Sequence, residues 1–295
     1  NGYGNTSNNI DCTLDLSGWD LSKITGKNGE NVFDFTPNTF KVTIPAKTGE
    51  KSNEGDKWYY GNGTNHIAPP AGKTFTPLLP AGALKGVFSV SATKKVRFSK
   101  GNLTYNVSTT TWAFYEHQYD CATGYDSNLI SLFTWGYGTW STSPNGTDYQ
   151  TGDFTDWGSQ IGDGNTWRTL TTAEWQYLFN YGDYTSDVRN GKYKWATVNG
   201  VGGYVIAPDN VTLQAEKTSY TATELNDANL VFLPAAGSRN GSSVSNVGDD
   251  GYYWSSIAVE GSGAYRVNFC SFYVLPDYYD YRYRGFSVRL ITESK

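Results

Sequence analysis

The most reactive side chains in this sequence belong to three cysteines and two histidines. Cys12, Cys121 and Cys270 are far apart and odd in number, so they predict no disulfide framework, although one unspecified pair could bridge. His66 and His117 lack the short spacing of zinc-binding histidines. No Gly-x-Ser-x-Gly elbow stands near a usable histidine. These residues therefore do not predict an enzyme.

Carboxylates are the next candidates for chemistry. Asp249 and Asp250 are adjacent, so on an extended chain they point to opposite faces and do not define a glycosidase pair. Residues 208–210 match no calcium loop and are interpreted as a turn. We interpret the acidic stretch 148–163 as a solvated loop in preference to a structural metal site. We expect no metal and no cofactor.

Tyrosine is the residue type that suggests a function. The 295 residues include 23 Tyr and 10 Trp, and the tyrosines are dense in residues 273–283. Tyrosine offers rigid, amphipathic contact area at low entropic cost. The formal net charge is −5, and the only short basic pairing of note is Lys94–Lys95, so we do not expect nucleic acid as a partner. We predict a non-catalytic binding protein that uses residues 273–283.

The elements that must position these tyrosines divide into two units. Alternating apolar residues in 32–35 and 39–44 predict strands, and the polar stretch 47–65 predicts a long loop or wide hairpin. Four prolines between residues 69 and 80 indicate a linker or edge segment. We expect a β-rich domain or stalk end over residues 1–82 and a second domain over residues 83–295.

The second domain is predicted to be α+β, with two helices and several short antiparallel strands. Capping boxes at Thr171/Glu174 and, more weakly, Thr221/Glu224 predict the helix starts. Residues 96–98 and 102–106 are interpreted as a hairpin pair, and residues 120–166 as a long loop ordered by tryptophans. Residues 277–284 have no clean period and are interpreted as a loop. The first predicted segment of this domain is the apolar stretch 86–90, and the remaining predicted strands lie at 112–114, 193–198, 203–207, 230–233, 252–255, 264–269 and 286–291.

Four motifs occur in order in this domain: Trp-Arg-Thr-Leu-Thr-Thr-Ala-Glu-Trp-Gln-Tyr at 167–177, Phe-Leu-Pro-Ala-Ala-Gly-Ser-Arg at 232–239, Gly-Tyr-Tyr-Trp-Ser-Ser at 251–256 and Gly-Phe-Ser-Val-Arg-Leu at 285–290. Together they resemble the C-type-lectin-like fold in its formylglycine-generating-enzyme-like branch. More narrowly, they resemble the variable proteins of bacterial diversity-generating retroelements and the Fibrobacter succinogenes major-paralogue surface domains. The resemblance covers about residues 83–293.

The resemblance implies a fixed scaffold with replaceable ligand-binding positions in a variable region of about residues 238–291. The implied scaffold set is Phe269, Ser271, Val274, Pro276, Arg282, Gly285, Ser287, Val288 and Arg289. The implied variable set is Ser245, Asn246, Asp249, Asp250, Tyr252, Arg266, Asn268, Cys270, Phe272, Tyr273, Leu275, Asp277, Tyr278, Tyr279, Asp280, Tyr281, Tyr283 and Arg284. Alternate strand positions should then face outward.

Composition is consistent with this implication. In such systems, adenine replacement in AAC or AAT codons reaches Tyr, Asn, Asp, Ser, Phe, Arg and Cys, but not Lys, Glu, Gln, Met or Trp. Residues 261–291 contain none of those five types, although tyrosine-rich strands also lack them by chance. The formylglycine-generating relatives use a cysteine pair, whereas Cys270 stands alone in its region. The Glu-Pro-Asn and Gln-Pro-Asp signatures of calcium-dependent sugar binding are also missing.

The expected setting is the bacterial cell surface or the extracellular medium, with a protein or glycan as ligand. Low charge and many Gly, Ser, Thr and Asn residues favour this setting, no apolar run has the length of a membrane span, and the polar start resembles a trimmed mature terminus. A lipid anchor would lie outside these 295 residues, and the N-terminal domain would contact surface or pilus partners. The alternative is a non-diversified adhesin or pilus-tip subunit on the same fold.

Overall fold

The computed structural model describes residues 79–136, 154–162, 164, 166–179 and 192–294, together with the backbone of five short strands before them. The chain divides into two compact units, Asn1–Pro80 and Ala81–Lys295, whereas the sequence placed the boundary after Gly82. The predicted strand at 32–35, Cys12, His66 and residues 148–153 lie outside the described part of the chain.

The N-terminal unit contains two described sheets. Strands β1 (Thr13–Asp15), β2 (Lys41–Ile44) and β5 (Thr76–Pro77) form a parallel sheet in the order β1-β2-β5. Strands β3 (Gly49–Lys51) and β4 (Trp58–Tyr60) pair antiparallel. Strand β2 confirms the strand predicted at 39–44, and the β3-β4 pair confirms the wide-hairpin interpretation of residues 47–65.

The C-terminal unit is β-rich with two described helices, which confirms the α+β prediction at that level. The helices are α1 (Thr172–Leu178) and α2 (Ala222–Asp227), and a 3-10 turn covers Trp157–Gln160. The strands are β6 (Phe88–Ser89), β7 (Lys95–Phe98), β8 (Leu103–Asn106), β9 (Thr111–Phe114), β10 (Leu129–Ile130), β11 (Arg168–Thr169), β12 (Tyr193–Val198), β13 (Val201–Ile206), β14 (Ser219–Tyr220), β15 (Val231–Pro234), β16 (Ala236–Asn240), β17 (Ser243–Val247), β18 (Gly251–Ala258), β19 (Gly263–Cys270), β20 (Tyr273–Tyr281) and β21 (Leu290–Glu293).

Both predicted capping boxes are present. The Thr171 hydroxyl accepts a hydrogen bond from the Glu174 backbone N–H at 3.2 Å, and the Glu174 carboxylate accepts one from the Thr171 N–H at 2.9 Å. Thr221 and Glu224 form the same reciprocal pair. Each box satisfies two backbone donors that a helix start leaves without intrahelical partners. Helix α1 then buries Trp175 and Leu178.

The predicted hairpin of residues 96–98 with 102–106 is wrong. Strand β7 pairs with β6 and β21, while β8 pairs with β9 and β10. The physical reason is that the two strands contribute side chains to different hydrophobic cores. Phe98 belongs to the first core together with Trp175, whereas Leu103 belongs to the second core together with Trp135. The chain therefore passes from one core to the other between residues 99 and 102.

Tryptophans anchor the loop region before α1, as predicted for its described part. Trp135 and Trp157 are 1% and 0% exposed and lie in the second core. The Trp135 indole N–H donates to the Ser255 carbonyl at 2.8 Å. This bond ties the loop to β18, the first strand of the sheet that carries most of the variable set.

Candidate ligand-binding surface

Strands β18, β19 and β20 form a three-stranded antiparallel sheet with β20 at one edge. Cys270 pairs with Tyr273, so Ser271 and Phe272 form a tight turn between β19 and β20. Strand β20 extends to Tyr281, and the interpretation of residues 277–284 as a loop is therefore wrong over 277–281.

A β-bulge explains why the sequence pattern did not predict the second half of β20. Arg266 pairs with Tyr278 and Asn268 pairs with Leu275, so two residues of β20, at 276 and 277, lie opposite Val267. An extra residue breaks the alternation of the bulged strand. It also places Pro276, which has no N–H, where a ladder hydrogen bond is not required.

The pairing places many variable-set residues on one face of the sheet. Asn268 lies between Tyr252 and Leu275 across the three strands, and Arg266 lies between Trp254 and Tyr278 in the next row. The alternate residues Tyr253, Val267 and Phe269, all 0% exposed, face the first core. Pleating therefore gives these strands one face toward the first core and one face that carries many variable-set residues. The second face also contains Trp254, which is 0% exposed and belongs to the second core.

Arg266 is the centre of this face. Its guanidinium carbon lies 4.8 Å from the Tyr252 ring centroid, 5.1 Å from that of Tyr278 and 5.2 Å from that of Phe286. Its Nη2 donates to Asp280 at 3.2 Å. Burial lowers the pKa of Arg266, and Asp280 counteracts that shift. We call Arg266, its three rings and Asp280 the arginine cage.

The β17-β18 connection extends the same face. The Asn246 amide donates to Asp250 at 2.7 Å, and the Tyr252 hydroxyl donates to the same carboxylate oxygen at 3.2 Å. Asn246 has a φ of 62°, a left-handed conformation that asparagine tolerates better than most residues. Because Tyr252 also stacks on Arg266, a chain of contacts links Asn246 to Asp280.

Exposed aromatic side chains concentrate on β20 and its turn. Among the described residues, the exposed large hydrophobic side chains are Ile257 at 40% and the following five: Phe272 at 93%, Tyr273 at 42%, Tyr278 at 51%, Tyr279 at 59% and Tyr281 at 53%. Tyr278 stacks with Tyr279 at 6.1 Å, and Tyr281 stacks with Tyr283 at 5.4 Å. The tyrosine stretch therefore forms a solvent-facing aromatic surface.

The variable set divides into eight exposed, eight half-buried and two buried residues. The exposed members are Ser245, Asn246, Asp249, Phe272, Tyr273, Tyr278, Tyr279 and Tyr281. The half-buried members are Asp250, Tyr252, Cys270, Leu275, Asp277, Asp280, Tyr283 and Arg284. The buried members are Arg266 and Asn268, at 5% and 8% exposure. The structure thus brings most of the predicted site to accessible positions, but not all of it.

Two details differ from the expected alternation of scaffold and outward-facing residues. Arg266 and Asn268 do not face solvent. Tyr278 lies against Arg266, and Tyr273 accepts a hydrogen bond from Asn268, so neighbouring side chains cover both residues. Scaffold residue Ser271 is exposed because it lies in the two-residue turn. Of the other scaffold residues, Val274 is half-buried and the rest are buried.

The described cysteines and acidic residues do not assemble a reactive centre. Cys121 and Cys270 are free, half-buried thiols, and burial raises the pKa of Cys121, which opposes thiolate formation. Within the described ranges, no group of three or more His, Cys, Asp and Glu side chains is placed to hold a metal ion. Aromatic faces, amides and carboxylates are suited to reversible contact with a partner.

Comparison with known proteins adds no relative: no family model, curated protein or solved structure matches this chain. Neither helix in the described part has the length and hydropathy of a membrane span. The fold and surface define the class: a β-rich α+β protein with an exposed aromatic patch on one sheet.

Proposed function

We propose that the C-terminal unit is a non-catalytic ligand-binding domain with a C-type-lectin-like fold, exposed at the bacterial cell surface. Its variable set would be diversified by a retroelement to change binding specificity. The observation that carries the proposal is the concentration of exposed aromatic side chains on β20 and its turn. Exposed apolar patches on soluble domains usually mark interaction sites.

The separation of scaffold from surface supports the diversification part of this proposal. Replaceable residues must contribute little to the core, and sixteen of the eighteen variable-set residues are exposed or half-buried. Seven of the nine scaffold residues are buried, including Phe269 at 0%. Such a division allows side chains on the surface to change while the backbone is held by the core.

The burial of Arg266 and Asn268 favours the second candidate, a non-diversified adhesin or pilus-tip subunit on the same fold. Paired, buried polar residues tolerate replacement less well than exposed ones. The two candidates differ at the level of the gene. A near-copy of the coding stretch for residues 238–291, next to a reverse transcriptase gene and differing at adenines, supports diversification; its absence supports the adhesin.

Binding itself is tested by a glycan and protein array screen with the purified chain. We expect Tyr279→Ala and Tyr281→Ala each to weaken binding of a recovered ligand, because each removes an exposed ring. Ile257→Ala is the matched control, since Ile257 is exposed on the same sheet but lies outside the variable set. If both tyrosine variants bind like the wild type, the ligand does not use this surface.

A further inference from the structure

The ligand-binding surface has an unbalanced charge. Residues 241–284 contain five acidic residues and three arginines. Two of those arginines, Arg266 and Arg282, are each 5% exposed, so Arg284 is the cation that remains accessible in this segment. Its side chain is 35% exposed and lies 3.9 Å from Asp280. The accessible charge within this segment is therefore mainly acidic.

Three of the acidic residues have no cation within ion-pair distance among the described residues. They are Asp249, Asp250 and Asp277, of which Asp249 is exposed. Asp250 accepts hydrogen bonds from Asn246 and Tyr252. Asp277 accepts one from the Gln176 amide at 3.2 Å. These neutral donors orient the carboxylates and leave their charge uncompensated.

The arginine cage shows which residue types of this sheet contact a guanidinium, although Nη1 of Arg266 is buried without a hydrogen-bond partner among the described residues. Arg266 lies against two tyrosine rings and pairs with an aspartate. Tyr279 and Tyr281 alternate with Asp280 along β20, so pleating directs their exposed rings to the face of the sheet opposite the arginine cage. Asp277 belongs to that same face, because it alternates with these tyrosines and contacts helix α1. Tyrosine rings and a carboxylate therefore recur on that face. Aromatic faces attract cations, and arginine combines ring stacking with pairing to carboxylates.

We propose that the ligand is a protein whose contacting segment carries arginine side chains, which stack on the exposed Tyr279 and Tyr281 of β20 and pair with Asp277. This inference rests on the proposed function and narrows it, because an acidic aromatic surface disfavours sialylated, phosphorylated and other anionic ligands. Charge complementarity of this kind controls partner choice and association rate more than total affinity.

The test uses the full chain and three labelled probes: short peptides with a repeated Gly-Ser-Arg, Gly-Ser-Lys or Gly-Ser-Glu sequence. Affinity is measured by fluorescence anisotropy at low and physiological ionic strength. We expect the arginine repeat to bind about tenfold more tightly than the glutamate repeat and more tightly than the lysine repeat. Salt should reduce the difference between the arginine and glutamate repeats.

Matched variants assign the effect to the surface. The variant Asp277→Asn removes charge with little change of shape, and we expect it to weaken the arginine repeat by roughly threefold to tenfold. Glu216→Gln removes an exposed charge outside the variable set and should leave affinity unchanged. Equal or absent binding of the arginine and glutamate repeats would overturn the inference.

The two levels of the proposal fail in different ways. If a neutral or acidic ligand from the array screen is lost in Tyr279→Ala and Tyr281→Ala, the surface is correct and the preference for arginine is wrong. If the arginine repeat binds the tyrosine variants as well as the wild type, the surface itself is wrong.

Discussion

Replacement of Arg266 by serine tests the conflict between the variable set and the structure. The implied role of Arg266 requires that it be replaceable, and serine is reachable by adenine replacement. The structure instead places its guanidinium 4.8 Å from Tyr252 and 5.1 Å from Tyr278, paired with Asp280. We predict that Arg266→Ser lowers the free energy of unfolding but leaves the fold intact.

The magnitude follows from two groups of contacts. Three rings share one guanidinium, and cation–π contacts of this kind contribute roughly 1–2 kcal/mol together. Breaking a fully buried ion pair costs about 3–5 kcal/mol, but the Asp280 side chain is 22% exposed and also lies 3.9 Å from Arg284. We therefore assign this pair about 1 kcal/mol. The expected loss is about 2–3 kcal/mol.

Urea denaturation of the full chain, followed by tryptophan fluorescence, measures this loss. A thermal scan should show the C-terminal unit melting roughly 4–12 °C lower, given the usual relation for domains of this size. A double-mutant cycle with Asp280→Asn should give a coupling energy of about 1 kcal/mol. Tyr281→Ser is the control, because Tyr281 is 53% exposed, and we expect it to stay within about 0.5 kcal/mol of the wild type.

A small effect would refute this reasoning. If Arg266→Ser stays within about 0.5 kcal/mol of the wild type, the arginine cage does not stabilise the sheet, and Arg266 is as replaceable as the exposed members of the variable set. A loss of all native signal would contradict the variable role instead, because no diversified position can be indispensable for folding.

Three further substitutions test the frame that holds this sheet. Glu174→Gln should lower the free energy of unfolding by about 1–2 kcal/mol near pH 7. Burial raises the pKa of Glu174, but the ion pair with Arg168 outweighs burial and holds that pKa below its usual range. The stabilisation by the ionised carboxylate is complete above the unfolded pKa of about 4.3 and fades as pH falls through the folded pKa. Gly251→Ala should cost about 3 kcal/mol, since a Cβ would lie 2.0 Å from the buried Phe269 ring. Arg289→Lys should cost about 2 kcal/mol or more, because it loses a planar fork that is 1% exposed. Urea denaturation, repeated at pH 7 and about pH 3.5 for Glu174→Gln, measures all three.

Each of these expectations has a control and a contrary result. Glu216→Gln should show neither the loss nor its pH dependence, and an equal effect of Glu174→Gln at both pH values would rule out the ion pair as its cause. Gly124→Ala should be nearly neutral, because nothing lies within 4 Å of its added Cβ. A neutral Arg289→Lys would mean that its bond to Gln118, 2.9 Å long, contributes no stability.

The helix starts and several strands could be predicted from the sequence, because each is indicated by a few adjacent residues. The capping boxes need only a threonine and a glutamate three residues apart. Pairing between distant strands has no such signal: β7 pairs with β21, almost two hundred residues later in the chain. The hairpin predicted for residues 96–106 paired the two strands that are adjacent in sequence. In the structure these two strands pair with different partners and contribute to separate cores.

The position of the candidate surface could be predicted from the sequence, but the burial of its individual side chains could not. The density of tyrosines indicated that residues 273–283 form the surface. The strand β20 itself was not predicted over residues 277–281, because the bulge opposite Val267 breaks the alternation on which a strand prediction depends. The burial of Arg266 results from rings on three separate segments. One of these rings, Phe286, belongs to neither the scaffold set nor the variable set, so only tertiary packing reveals the cage.

Arg266 also bears on how a diversified surface could keep its shape. Both Arg266 and Asp280 belong to the variable set, and the pair spans β19 and β20. Replacing Asp280 alone therefore leaves the buried charge of Arg266 without this partner, whereas replacing Arg266 alone leaves Asp280 with Arg284. Changes at these two positions should therefore be correlated, with neutral pairs or opposite charges retained together. Tyr279 and Tyr281 carry no such constraint. If this surface is diversified, its exposed tyrosines should vary independently while the arginine cage varies as a unit.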